Sequence, residues 1–270
     1  MRNYGQGFDF FKKWFDFIKP LLFLLIVLEI CTFYGIIPQH IFPSPHRIAV
    51  GIIELSSSGM PPGYRLLNHF TASLIRVFVG FSAAFIVSFP LGILMGRYGI
   101  VNRYLSPIIE SLRPVPPLAW LPISVLWFGL GIVSKSFLIF LGAFFPLLSN
   151  TILGASSVEK EIVEGAMTLG AKERDILLKI IIPASLPYVF TGARIGMGIG
   201  WMTLVAAELT GVKSGFGLGY MIMTARDLQR IDLVFSGMAV IGITGLLIDL
   251  LVRVFENRVL RWKSYSAIKG

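Results

Sequence analysis

Charge is scarce in this chain. Asp, Glu, Lys and Arg make up 14% of its 270 residues, where soluble domains carry about 25%. Acids are the scarcer sign, 15 against 24 bases. One cysteine, Cys31, sits in an apolar run, which excludes an intrachain disulfide and any cysteine-based metal spacing. His40, His46 and His69 share no ligand spacing, so no metal site is expected. No G-x-x-x-x-G-K-[ST] phosphate loop occurs. The glycine-rich stretch 211–217 (GVKSGFG) has the wrong spacing and reads as an outer turn. Ser, His and acidic residues are dispersed, with no nucleophile–base set, so neither enzymatic activity nor a cofactor is expected. The bases are scattered and not grouped with aromatics on a polar face, which argues against nucleic acid.

What the chain has is length in its apolar runs. Hydrophobic residues are 55% of the total and mean hydropathy is +0.76. A soluble core of this size could not hide that much apolar surface, so lipid is the solvent for much of it. Backbone in hydrocarbon must satisfy itself, leaving helices or closed barrels, and continuous runs favour helices. The expected fold is therefore an all-α polytopic membrane protein with six spans. We place them near 21–37, 71–96, 115–131, 136–154, 184–208 and 231–252. The third is crowded at its start by Pro114, Pro116, Pro117 and Pro122.

Sixteen of the 24 Lys and Arg fall on one side of this arrangement if both termini are cytoplasmic. The first apolar run carries Glu29 and lacks an A-x-A-like site, so it reads as an uncleaved span behind a cytoplasmic segment 1–20. The membrane domain then occupies 21–270. The Pro-, Ser- and Gly-rich stretch 38–70 reads as an outer connector with a short surface helix near 46–55.

A polar insert, 158–183 (VEKEIVEGAMTLGAKERDILLKIIIP), interrupts the spans on the cytoplasmic side. Ser156 and Glu159 have the spacing of a capping box, predicting a helix over 157–169. Val158, Ile162, Ala166 and Leu169 share one face of it. Gly170 stands where a left-handed C′ residue belongs. A second helix is predicted over 171–182, with Pro183 opening the fifth span. This pattern suits either a plain connector or a docking element.

Glu164-Gly165-Ala166, Gly170 and Ile180-x-Ile182-Pro183 resemble the EAA loop of bacterial ATP-binding-cassette import permeases. The family pattern has Ala where Gly165 stands and Leu where Ile182 stands. FPSP at 42–45, RPVPPLAWLP at 113–122, WFGLG at 127–131, SKSFLIFLGAFFP at 134–146, TGARIGMGIGWMTLVAAE at 191–208 and GLGY at 217–220 are similar to the sulfonate, taurine and nitrate branch.

The resemblance implies a MetI-like type I importer permease in the bacterial inner membrane, with its core near 66–252 and coupling helices within 157–182. It also implies a second copy of the chain, two cytoplasmic ATPase subunits and a periplasmic or lipid-anchored binding protein. The implied cargo is a small anion such as an aliphatic sulfonate or taurine. Nitrate, bicarbonate or a thiamine-precursor-type cargo are the alternatives. Glu164, Gly165, Ala166, Gly170, Ile180 and Pro183 would then form the ATPase-coupling loop.

Five charges fall in or at the edges of spans: Glu29, Arg76, Arg194, Glu208 and Asp249. Such charges face a bundle interior or water. Candidate pathway residues are Arg76, Arg194, Trp201 and Glu208. The rival reading of the arginines is structural pairing with Glu208 or Asp249. Gly192, Gly196 and Gly200 lie on one helix face and allow close approach, to a neighbouring helix or across a dimer axis. A gradient-driven transporter would show inverted repeats, and no internal repeat is visible.

Overall fold

The computed structural model describes residues 19–20, 22–60, 63–210 and 215–260. Residues 1–18 of the expected N-terminal segment, residues 211–214 of the glycine-rich turn and the basic tail from Arg261 lie outside them. Among the described residues the regular structure is helical, with one isolated bridge between Met60 and Tyr64.

The elements are α1 (Leu22–Phe33), α2 (Pro45–Ser57), α3 (Leu66–Arg97), α4 (Gly99–Leu112), α5 (Leu121–Phe128), α6 (Ile132–Ser156), α7 (Lys160–Thr168), α8 (Glu173–Ile176), α9 (Ile182–Leu209), α10 (Leu218–Asp227) and α11 (Ile231–Val259). Four helical stretches are long and apolar enough to cross a membrane: α3, α6, the continuous stretch Glu173–Leu209, and α11. They coincide with the second, fourth, fifth and sixth expected spans. The helical part of the third run is Pro117–Phe128, shorter than the 115–131 predicted. Proline explains the late start, because Pro114 and Pro116 cannot donate backbone bonds. Gly129, at φ +71°, stops the helix at the other end. The surface helix expected near 46–55 is α2, capped by Ser44 Oγ accepting from the Arg47 amide at 3.4 Å.

The chain divides into two compact units. One contains Met1–Leu66 and Met221–Val240. In it, Glu29 accepts a hydrogen bond from the His46 amide at 3.0 Å, which ties α1 to the start of α2. Arg230 bridges Glu54 on α2, at 2.8 and 3.1 Å, and Asp232 at 2.8 Å. These hydrogen bonds, to Asp232 first and Glu54 second, hold the Arg230 guanidinium protonated well beyond its ordinary range.

The other unit contains Leu67–Tyr220 and Ile241–Gly270. Its centre is the packing of α6 on α9. The glycine face of α9 makes that contact within the chain. A Cβ on Gly192 would lie 2.9 Å from the Pro146 carbonyl oxygen, and one on Gly196 2.9 Å from that of Ala143. One on Gly200 would meet Ile139 Cγ2 at 3.0 Å. The stripe therefore serves the α6–α9 interface, one of the two roles the sequence left open. Without a strong hydrophobic drive between helices in lipid, such close backbone approach supplies dispersion contact.

Candidate functional site

The polar insert folds around a left-handed glycine. α7 ends with Ala171 N–H bonded to the Ala166 carbonyl at 3.0 Å and Gly170 N–H to that of Met167 at 2.9 Å. This double bond pattern closes a helix when C′ is left-handed, and Gly170 has φ +86°. Two local expectations are corrected. The capping box does not form: α6 runs on to Ser156, whose hydroxyl donates back to the Leu153 carbonyl at 3.1 Å, and α7 starts at Lys160 behind an uncapped Glu159. The second helix is not a separate element ending at Pro183. α8 passes through a π turn, Leu177–Ile181, straight into α9. There the Ile182 N–H reaches back five residues to Leu177. The wider turn shifts the ladder just ahead of Pro183, which has no N–H to give.

The insert has an anchored side and a bare side. Ile93, Ala155, Val163, Ile176 and Ile181 form a buried cluster, with Ala166, Ile180 and Ile182 packed against it. This fixes α7 and α8 to the ends of α3 and α6. Arg97, the last residue of α3, grips Glu173 through two bonds, Nε–Oε1 at 3.0 Å and Nη2–Oε2 at 3.2 Å. Tyr98 Oη donates to the same carboxylate at 3.0 Å. Glu164, Gly165 and Gly170 are exposed, as are Ile162, Met167 and Leu169, the last at 90%. An added Cβ on Gly165 meets nothing within 4 Å. Glycine there costs helix propensity alone.

The four candidate pathway residues separate into two places. Arg76 and Glu208 are a buried pair, Nη1–Oε1 2.6 Å, exposed by 3% and 0%. Glu208 also accepts from Ser73 Oγ at 3.0 Å and from the Gly219 amide at 2.9 Å. Ser73 Oγ in turn accepts from the Leu218 amide at 3.0 Å. Gly217 is closed against this carboxylate, since a Cβ there would lie 2.5 Å from Glu208 Oε1. Lys135, buried at 2% exposure, interacts electrostatically with both Arg76 and Glu208. The pairing alternative thus describes Arg76 and Glu208: they clamp α3, the end of α9 and the segment leading into α10.

Arg194 and Trp201 lie elsewhere, on a small cavity between α9 and α11 with Asp249. Arg194 is ion-paired with Glu256 and stands 3.8 Å, Nε to Oδ1, from Asp249. Asp249 accepts from Arg253 Nε at 2.7 Å. Arg194 and Asp249 remain about one-third exposed. A charge within a membrane-crossing helix is costly against acyl chains. The Arg97–Glu173 clamp, Lys135 and Glu256 were not singled out from the sequence. Their partners are far apart along the chain, or their burial is set by tertiary packing.

Comparison with known proteins agrees with this architecture. Residues 88–261 match the family described as binding-protein-dependent transport system inner membrane component. A protein of Methanocaldococcus jannaschii described as an ABC transporter permease is 50% identical over 198 residues, covering 73% of this chain and 74% of that one. The taurine transport system permease protein of Escherichia coli is 38% identical over 248 residues, 91% and 88% of the two chains. The nitrate import permease protein of Synechocystis is 39% identical over 188 residues, 70% and 68% of the two chains. Among solved structures, an inward-facing MetNI methionine ABC transporter chain superposes with a TM-score of 0.60 at 20% identity, over 72% of this chain and 95% of that one. That likeness establishes a shared fold.

Proposed function

The chain belongs to the family of binding-protein-dependent transport system inner membrane components, and from that premise we propose that it forms the pathway for a small sulfonate, driven through its 160–183 segment by a separate ATPase. That it is an ABC importer permease subunit follows from the family and the relatives. The sulfonate assignment is supported by the taurine relative, whose alignment spans most of both chains. The positive-charge bias supports a cytoplasmic side for both termini and the coupling segment.

One observation carries the coupling role. The insert is firmly anchored on one side by the Ile93–Ala155–Val163 cluster and the Arg97–Glu173 clamp, and bare on the other. A rigid element so held transmits a push on its outer face to the ends of α3, α6 and α9. Glu164, Met167 and Leu169 form the exposed face that receives the partner, while Ala166 and Ile180 key the loop to the bundle. The complete assembly has two copies of this chain, two ATPase subunits and an external binding protein.

The test is uptake by proteoliposomes holding the permease, its ATPase and its binding protein. ATP is expected to drive accumulation of a sulfonate, with nitrate as a weaker competitor. Accumulation of nitrate in preference to any sulfonate would overturn the cargo assignment.

A further inference from the structure

Three charges stand in line on α11. Asp249, Arg253 and Glu256 follow one another at spacings of four and three residues, which sets them on one helix face. Arg194 meets that face from α9. It is ion-paired with Glu256 through Nη2, and its Nε lies 3.8 Å from Asp249 Oδ1. That Nε is buried and has no hydrogen-bond acceptor among the described residues. Buried donors without acceptors are rare, and here an acid waits about 1 Å beyond bonding distance. Asp249 is held meanwhile by Arg253, Nε–Oδ2 2.7 Å. One arginine thus stands between two acids, bonded to one and just short of the other.

The arginine has both room and a drive to move. A cavity of about 70 Å³ adjoins Arg194 and Asp249, where packed interiors leave few voids larger than a water molecule. Gly198 and Gly245 line it, and an added Cβ on Gly198 meets nothing within 4 Å. The helix that carries Arg194 is also the one the coupling segment runs into. Glu173, gripped by Arg97, opens the helical stretch that continues to Leu209. A push on α8 therefore acts along α9 at Arg194.

We propose that Arg194, Asp249, Arg253 and Glu256 form a two-position latch between α9 and α11, set by movement of the coupling segment. In the position seen here Arg194 holds Glu256 and Arg253 holds Asp249. In the other, Arg194 bonds Asp249 while Arg253 turns to Glu256, three residues on along the same helix. Both positions leave every charge paired. Any state between them leaves a lone charge within a membrane-crossing helix, which is costly. A shift of about 1 Å is thereby turned into a change of partners, as bistable packed elements do. The latch rests on the coupling reading above and is independent of the cargo.

The test is the affinity of the purified permease–ATPase complex for a non-hydrolysable ATP analogue, adenylyl imidodiphosphate. Apparent affinity follows the fraction of permease in the position that fits the nucleotide-bound ATPase. Glu256→Gln and Asp249→Asn each remove one negative charge beside the same arginine, so a purely structural role moves affinity in the same direction for both. The latch predicts opposite directions, because each loss favours the other pairing, by about fivefold each way, the low end for coupled sites. In an Arg194→Gln background both effects should shrink to within about twofold, since the shared partner is gone. If either amide variant fails to fold, Glu256→Asp and Asp249→Glu change reach and keep charge, and they too must move affinity in opposite directions. The latch is overturned if the two acid variants shift affinity the same way, if either stays within about twofold of wild type, or if their effects persist without Arg194. A wild-type permease that does not retain its ATPase would instead bring down the coupling reading, and the latch with it.

Discussion

Glu208→Ala is the sharpest single perturbation of the fold. The substitution removes a fully buried carboxylate that accepts from Arg76 at 2.6 Å, Ser73 at 3.0 Å and Gly219 at 2.9 Å. It leaves two buried cationic side chains, Arg76 and Lys135, at 3% and 2% exposure, without the carboxylate that both faced. Removing one partner of a buried ion pair costs about 3–5 kcal/mol. At roughly 2–4 °C per kcal/mol for a chain of this size, unfolding should shift down by about 10 °C. Glu208→Gln keeps an acceptor for Ser73 and Gly219 and should lose about half as much, because the hydrogen bonds survive while the charge does not. Thermal unfolding of the purified protein in one detergent, followed by circular dichroism, reads both. A Glu208→Ala midpoint within about 2 °C of wild type would refute the clamp, since no buried pair of this kind is that cheap to break.

Two further substitutions probe packing and turn chemistry. Gly196→Leu would set a side chain against the Ala143 backbone, where even a Cβ would lie 2.9 Å from the carbonyl oxygen. Overpacking of that kind costs about 1–3 kcal/mol or more, and a lowered unfolding midpoint with poorer recovery from membranes is the expected result. Gly170→Val meets no atom within 4 Å but must hold φ +86°. Its strain of about 1–2 kcal/mol should loosen α7, read as faster amide exchange over 160–172 with the spans unchanged.

The apolar runs were readable because hydrocarbon imposes continuous helices, and four of them stand where hydropathy set them. Gly170 was readable because only a glycine-like residue closes a helix in that way. The capping box misled because α6 extends past its apolar run to Ser156, and a serine hydroxyl can bond back to a carbonyl as well as forward to an amide. Pro183 misled because a π turn lets a helix run through a missing donor. Arg97 and Glu173 are 76 residues apart, and Arg76 and Glu208 132 apart. No local pattern announces such pairs. Their formation depends on how α3 meets the elements packed against it.

The coupling claim is tested most directly by co-purification. Glu164 is exposed and its carboxylate bonds nothing among the described residues, so Glu164→Arg should fold normally. Wild-type permease is predicted to retain its ATPase through affinity purification, and Glu164→Arg to lose it while its unfolding midpoint stays put. A Glu164→Arg permease that keeps the ATPase and imports cargo at the wild-type rate would contradict the account.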